Sequence, residues 1–397
     1  MGRSGDGAAS LVVRVAIVTA MSSRSRAVVL SRRALEQKVW QASQYELEDV
    51  ICAVEDATLL APGGRRASGA GALVHGAVNR VGRRVGRSRR APMVRVDEAV
   101  ETDLFFGVFA AAHELGALPL VRPQLERSAA KVAFIVELWT PQVPQVEDYL
   151  RLLRGFDHVF LFSRDAAAAV EAISGVPCTY LPTAVDVDLF APPVPAPVRG
   201  TDVMSYGRRL DGTHEALLAA AAAGSLHYQY DTVRGPFDVT GPREHRAALA
   251  RSLQRSRYSV VYKNNDEPGR VGRTAGEESL TNRYFESLAA GAVLLGSAPA
   301  VADFARCFDW PDALVEIAAP EPRVVDVIGE LDGDPLRVAR ASRAGVVESL
   351  RRHDWAHRWA EVLSAVGLEP GPGLTGRLEH LEARAREHES APLLIPG

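Results

Sequence analysis

Cysteine is nearly absent from these 397 residues. The three present, Cys52, Cys178 and Cys307, are odd in number, widely spaced and form no C-x-x-C pair. That excludes a disulfide framework and a thiolate zinc site, and a reducing cytoplasm is the expected compartment. Lysine is equally scarce, with Lys38, Lys131 and Lys263 set against 43 arginines. No run of about 18 apolar residues occurs, so no membrane-spanning helix is expected. The early run LVVRVAIVTAM is interrupted by Arg14 and reads as a buried strand, not a signal peptide. Asp6 stands where myristoylation needs Ser or Thr. Net charge is only −3, which argues against a dedicated nucleic-acid binder, and no nucleic-acid partner is expected. No clustered carboxylates suit a divalent ion, so no metal site is expected either.

Charge of one sign is missing locally. Between Pro62 and Arg95 there is no Asp or Glu, while nine arginines fall there. Within this stretch Val74, Val78, Val81 and Val85 share one helical face, but Gly76, Gly82 and Gly86 weaken a helix. A soluble loop is the first reading; peripheral contact of residues 72–90 with an anionic membrane is the second.

What is present is a regular alternation. Short apolar runs such as 13–20, 57–62, 103–109, 131–138, 158–163 and 178–182 are separated by helical patterns. Runs that are apolar throughout suit strands covered on both faces, and strand–helix alternation implies a parallel, doubly wound sheet. Five prolines between Pro182 and Pro197 interrupt it, after which the alternation restarts at TDVMSYG. The expected fold class is therefore α/β, with two Rossmann-like doubly wound domains facing across a cleft. The expected divisions are 1–185, a linker at 186–200, 201–345, and C-terminal helices over 346–397. In those helices Trp355, Trp359, Val362 and Leu363 form an apolar stripe that must dock, whereas RLEHLEARAREHES is polar and expected to fray.

Ligands of such sheets bind outside the carboxyl ends of strands. Gly207-Arg208-Arg209 ends the first strand of the second half; glycine admits a close turn and arginine offers a fork to phosphate. Lys263 ends the strand YSVVYKN and offers a point charge. Thr281 is the expected N-cap of a helix from Asn282 to Ala290, stopped by Gly291. Glu278 then lies in the loop before that helix and Glu286 in its second turn. Arg283, a cation in the first turn, is unfavourable there unless an anion is near. Glu137 closes the strand KVAFIV beside Trp139, a carboxylate and an indole suited to sugar hydroxyls or, for Glu137, to general-base work. His158 starts its strand and belongs to the opposite end of the sheet.

The stretch E278-SLTNRYF-E286-SLAAG-AVLLG resembles the E-x7-E motif of retaining glycosyltransferases with the GT-B fold, and its wording is closer to the spore-maturation-type bacterial branch. Tyr180-Leu181-Pro182 through Pro192 resembles the inter-domain crossover of that fold, and Tyr206-Gly207-Arg208 the first strand of its donor domain. The resemblance implies that Glu286 binds the ribose of a UDP- or GDP-linked sugar and Glu278 the transferred sugar. It implies that Arg208 stabilises the leaving diphosphate with help from Lys263 and Arg283, while the first domain binds the acceptor. No cofactor beyond the nucleotide-sugar donor is implied. Two stretches depart from the family pattern: Arg209-Leu210-Asp211-Gly212 has no lysine, and the first βα loop, read as Met21-Ser22-Ser23-Arg24, has no paired glycines. Retention or inversion, the acceptor and the oligomeric state stay open. The alternatives are a nucleotide-sugar epimerase on the same scaffold and a non-catalytic sugar- or nucleotide-binding protein.

Overall fold

The computed structural model describes residues 16–17, 24–35, 37–63, 93, 95–232, 238–239 and 241–393. The first sheet contains β1 (Ala16–Ile17), β2 (Arg24–Leu30), β3 (Ala57–Ala61), β4 (Glu101–Ala111), β5 (Ser128–Glu137), β6 (His158–Leu161) and β7 (Cys178–Tyr180). Their spatial order is β1-β3-β2-β4-β5-β6-β7, and every pair is parallel except β1 with β3. The second sheet contains β8 (Thr201–Ser205), β9 (Tyr228–Tyr230), β10 (Ser256–Val261), β11 (Val293–Gly296) and β12 (Val315–Glu316). Its order is β12-β11-β10-β8-β9, parallel throughout.

The apolar runs are strands with both faces covered. Along β4, Leu104, Phe106 and Val108 enter one core while Phe105 and Phe109 enter the core on the other face. In the second sheet Val203, Val260 and Leu295 face one core, and Met204, Val261 and Leu294 the other. One of these cores is continuous between the halves. It joins Leu47 and Ile51 of the helix Ala42–Val54 to Leu253 of the helix Pro242–Gln254 and to Trp355 and Trp359 near the C-terminus. Trp359 packs edge-on against Phe106, with ring centroids 5.4 Å apart.

In each sheet the chain leaves a central strand to one side and returns on the other. From β2 it passes to β3 and then to β4; from β8 it passes to β9 and then to β10. The crevices at the carboxyl ends of β2/β4 and β8/β10 are thus the topological switch points where doubly wound sheets bind ligands.

Several expectations need correction. Of the run 13–20 the described residues are Ala16–Ile17, which form the edge strand β1, antiparallel to its neighbour. The central strand is RSRAVVL, obscured in the sequence by Arg24, Ser25 and Arg26. The Ser25 hydroxyl donates to the carbonyls of Ala27 and Asp56, and Arg26 pairs with Glu55 at 2.8 Å, so these polar groups are satisfied at the strand's start. The first βα loop is therefore the one after Leu30, not Met21–Arg24, of which residues 21–23 lie outside the described residues. Nearly all of the basic stretch lies outside them too. The polar tail does not fray: Pro372–Ser390 is a helix burying Leu374, Leu381 and Ala385. Its Arg377 bonds Asp354 at 2.8 Å and Asp186 at 2.6 Å, and its Arg384 bonds Asp188 at 2.6 Å.

The loop after β2 grips a titratable group of the helix Ala42–Val54. Glu48 is buried, accepts from the Ser31 hydroxyl at 2.5 Å, and pairs with Arg33 at 2.8 Å. Burial raises its pKa to about 7, against the opposing pull of Arg33 and Ser31. A carboxyl whose folded pKa is raised takes up a proton on folding, so its contribution to stability is present below the ordinary carboxylate range and lost as pH rises to about 7. Thermal melts should therefore show stability falling between pH 5 and 8, by on the order of 3 kcal/mol at most. Glu48→Gln is expected to flatten that slope; an unchanged slope would remove Glu48 as its source.

Candidate active site

The second switch point is built by β8, β10 and the helix Asn282–Ala289. β8 runs into Gly207, whose φ of 70° is left-handed and favours glycine. Its N–H donates to Asp231 at 2.9 Å, and the turn presents Arg208 over the carboxyl edge. The Arg208 guanidinium donates to the Asn264 side chain and has no carboxylate ion pair among the described residues. Burial pushes its pKa down to about 9, and the neighbouring cations Arg283 and Arg270 push the same way. Glu267 pulls the other way without forming an ion pair, so a desolvated cation remains where a further anion is stabilised.

Lys263 follows β10, and its Nζ lies 3.1 Å from Glu278 Oε1. The other Glu278 oxygen accepts from the Ala300 N–H at 2.5 Å. Glu278 thus ties the loop before the helix to the segment after β11, within the cleft. The helix runs Asn282–Ala289 with Ala290 as its C-cap, one residue short of the expected end, and Gly291 is left-handed at φ 74°. Thr281 caps by backbone conformation alone: its hydroxyl makes no cap bond and is buried without a hydrogen-bond partner among the described residues.

Three side chains read as donor contacts are committed elsewhere in this structure. Arg283 is 7% exposed and donates to the carbonyls of Arg208 at 3.1 Å and Tyr262 at 2.9 Å, gathering the ends of β8 and β10. Glu286 is 3% exposed; one oxygen accepts from Arg246 and the other from the Tyr206 hydroxyl at 2.8 Å. Arg209 pairs with Asp231, and its guanidinium lies 5.4 Å from the Tyr230 ring. The sequence displays these charges but not the partners that absorb them. Arg246 bridges Glu286 to Glu46 of the first half at 2.6 Å, and Glu46 also accepts from Trp355 Nε1 at 3.0 Å and the Asp186 N–H at 2.7 Å. A sign of this network was legible: Arg246 stands in step with Ala250 and Leu253, on the buried face of its helix.

The cleft between the sheets holds a cavity of about 420 Å³. Phe162, Arg164 and Tyr180 line it from the carboxyl ends of β6 and β7; Glu277, Glu278 and Asp303 line it from the second sheet. Arg164 clamps Asp303 with two bonds of 2.9 and 2.6 Å and lies 4.5 Å from the Tyr180 ring. Glu277 crosses the cleft to accept from the Thr140 N–H at 3.1 Å and the Ser163 hydroxyl at 3.5 Å. Sequence reading passed over Arg164, although it follows a strand by the same rule that selected Arg208. Glu137 is exposed at the end of β5, outside this lining. Trp139 is 5% exposed, so its indole offers no face to a sugar; its Nε1 meets Glu137 at 3.5 Å. His158 stands at the start of β6, bonded to Thr179 at 2.8 Å, away from the site as expected.

Among the described residues no three His, Cys, Asp or Glu side chains gather to hold a metal, and no helix is long and apolar enough to cross a membrane.

Two parallel α/β units with their carboxyl edges turned to one cleft have the GT-B fold. HepE (Alr3699) from Anabaena, solved with UDP-glucose, matches it with a TM-score of 0.51 at 9% identity, covering 86% of this chain and 99% of that one. An alpha-glucosyltransferase solved with UDP-glucose and DNA containing an abasic site gives 0.48 at 11% identity, covering 86% and 99%. TarM gives 0.42 at 9% identity, covering 67% and 55%. In sequence, residues 208–364, the stretch that carries Arg208, Lys263 and Glu278, match the family described as glycosyl transferase-like. No curated protein matches the chain in sequence.

Proposed function

We propose that the protein transfers a sugar from a nucleotide-sugar donor to an acceptor hydroxyl in the cleft. The observation that carries this is Arg208: a desolvated guanidinium with no carboxylate ion pair among the described residues, at the switch point of the glycosyltransferase-like half. In the reaction the bond from the anomeric carbon to the diphosphate breaks and a bond to the acceptor oxygen forms. The acceptor proton passes to a base, and the nucleoside diphosphate leaves. Negative charge grows on the departing diphosphate, where Arg208 and the second cation Lys263 act without a divalent ion. Glu278 faces the transferred sugar, its charge balanced by Lys263. Glu286 acts at one remove: it holds Tyr206, and through it the Gly207–Arg208 turn, instead of touching ribose. The structure of HepE contains UDP-glucose, which supports a uridine-linked donor as the first to test.

The test is to incubate the protein with UDP- and GDP-sugars and no acceptor, and to follow the products. Slow release of free nucleoside diphosphate and sugar is expected. Interconverted donor without release would favour an epimerase, and binding without any turnover a non-catalytic protein. Glu278→Gln should cut donor turnover by about 10–100-fold, the worth of one charged hydrogen bond, while UDP affinity stays near wild type.

A further inference from the structure

Arg208 is held in place without being neutralised. Its guanidinium donates to the side-chain carbonyl of Asn264, a residue 6% exposed in the turn after β10. The Asn264 amide donates in turn to the hydroxyl of Ser279 at 3.2 Å, and Ser279 is the buried chain neighbour of Glu278. Lys263–Glu278 and Asn264–Ser279 are therefore consecutive rungs between the segment after β10 and the loop before the helix Asn282–Ala289. A third contact follows, with Asn265 donating to the Gly276 carbonyl at 2.8 Å. Asn264 thus sits where the Arg208 turn meets the loop that carries Glu278. Elsewhere at the carboxyl ends of the strands the chain uses carboxylates for this task. Arg33 beyond β2 pairs with Glu48, Arg164 beyond β6 with Asp303, and Arg209, next to Arg208, with Asp231. Glu267, which also pulls on the Arg208 guanidinium, is paired with Arg270 at 3.0 Å.

An amide carbonyl and a carboxylate oxygen accept the same bond with nearly the same shape, but only the carboxylate cancels the charge of the donor. A guanidinium aimed by an amide keeps its field for an incoming anion. One paired with a carboxylate gives up most of that field before the ligand arrives. We propose that Asn264 is a positioning residue of the donor site: it aims the Arg208 guanidinium at the departing diphosphate, registers it against the Lys263–Glu278 pair, and has to be uncharged to do so. It acts through Arg208 and not on the substrate. This role rests on the donor reading of Arg208 given above; that the site tolerates no carboxylate at position 264 goes beyond it.

The experiment compares Asn264→Asp and Asn264→Ala with wild type in the full chain, by thermal melts without ligand and by calorimetric titration with UDP. The new carboxylate keeps the shape, pairs with Arg208 and accepts from the Ser279 hydroxyl, so Asn264→Asp should melt no lower than wild type. It should nevertheless bind UDP about 10–100-fold more weakly, the worth of a charged hydrogen bond. Asn264→Ala leaves Arg208 charged but loosely held; it should melt lower, yet lose no more than about 5-fold in UDP affinity. Stability and affinity thus rank the two variants in opposite orders, which a merely structural asparagine would not produce. Added salt should weaken UDP binding by wild type and Asn264→Ala more than by Asn264→Asp. UDP binding by Asn264→Asp at wild-type strength, or weaker binding by Asn264→Ala than by Asn264→Asp, would overturn the proposal and leave the donor reading standing. A ligand-free Asn264→Asp protein that melts well below wild type would overturn it too, since its carboxylate would then not be paired with Arg208. If wild type shows no response to UDP, the donor reading falls and this role falls with it.

Discussion

Arg246→Leu is expected to lower the free energy of unfolding by about 3–5 kcal/mol, read by urea denaturation. The guanidinium lies between Glu46 and Glu286, and all three side chains are buried. Burial alone pulls an arginine pKa down, yet Glu46 and then Glu286 outweigh it and raise it above the ordinary value. Removing the cation strands two carboxylates in a low-dielectric interior, which costs far more than the pairs gain over an apolar substitute. The loss is a large part of the roughly 5–15 kcal/mol that holds a typical domain folded. The triple variant Glu46→Gln, Arg246→Met, Glu286→Gln should recover most of it. Glutamine at position 46 still accepts from Trp355 and Asp186, and at position 286 it still accepts from Tyr206. A loss under about 1 kcal/mol in the single variant would show that water reaches the network and that it does not join the halves as described. Because the network ties the helix Ala42–Val54 to the helices of the second half, the single variant should also loosen the cleft.

Arg208→Met is expected to have effects of opposite sign with and without ligand. The folded-state pKa of Arg208 is depressed to about 9, so burying the cation costs stability throughout the pH range below that value and the cost is relieved above it. At neutral pH the ligand-free variant should therefore melt no lower than wild type. With UDP present the order should reverse, since loss of a charged fork to the diphosphate is worth about 10–100-fold in affinity. Lys263 makes the contrast clear: it is already paired with Glu278, so Lys263→Met should destabilise the free protein by stranding that carboxylate. Thermal melts with and without UDP separate the two variants. A ligand-free Arg208→Met protein that melts well below wild type would mean that the guanidinium is structural.

What could be read from the sequence and what could not divide along a physical line. Strands buried on both faces announce themselves as apolar runs, and the helix at 282–289 is bracketed by an extended threonine and a left-handed glycine. Those are local signals. β2 was hidden because its first three residues are polar and satisfied at the strand's start. The fate of Glu286 was hidden for a different reason: its partner Arg246 lies 40 positions away and that residue's second partner, Glu46, a further 200. Nothing near Glu286 distinguishes a carboxylate aimed at a ligand from one aimed at a buried arginine. Arg208 was legible as a strand-end arginine beside a glycine, but that it forms no carboxylate ion pair among the described residues emerges only from the packing around it. The acidic lining of the cleft depends on β6 and the segments before the helix and after β11 meeting across it, which no single stretch encodes.

Crystals of the protein soaked with UDP would address the donor site without intermediaries. The account predicts the diphosphate against Arg208 and Lys263, at the carboxyl ends of β8 and β10, with Glu278 turned toward the open cavity beyond it. Well-ordered UDP at the first sheet's edge, or a fully soaked crystal with no nucleotide beside Arg208, would contradict it.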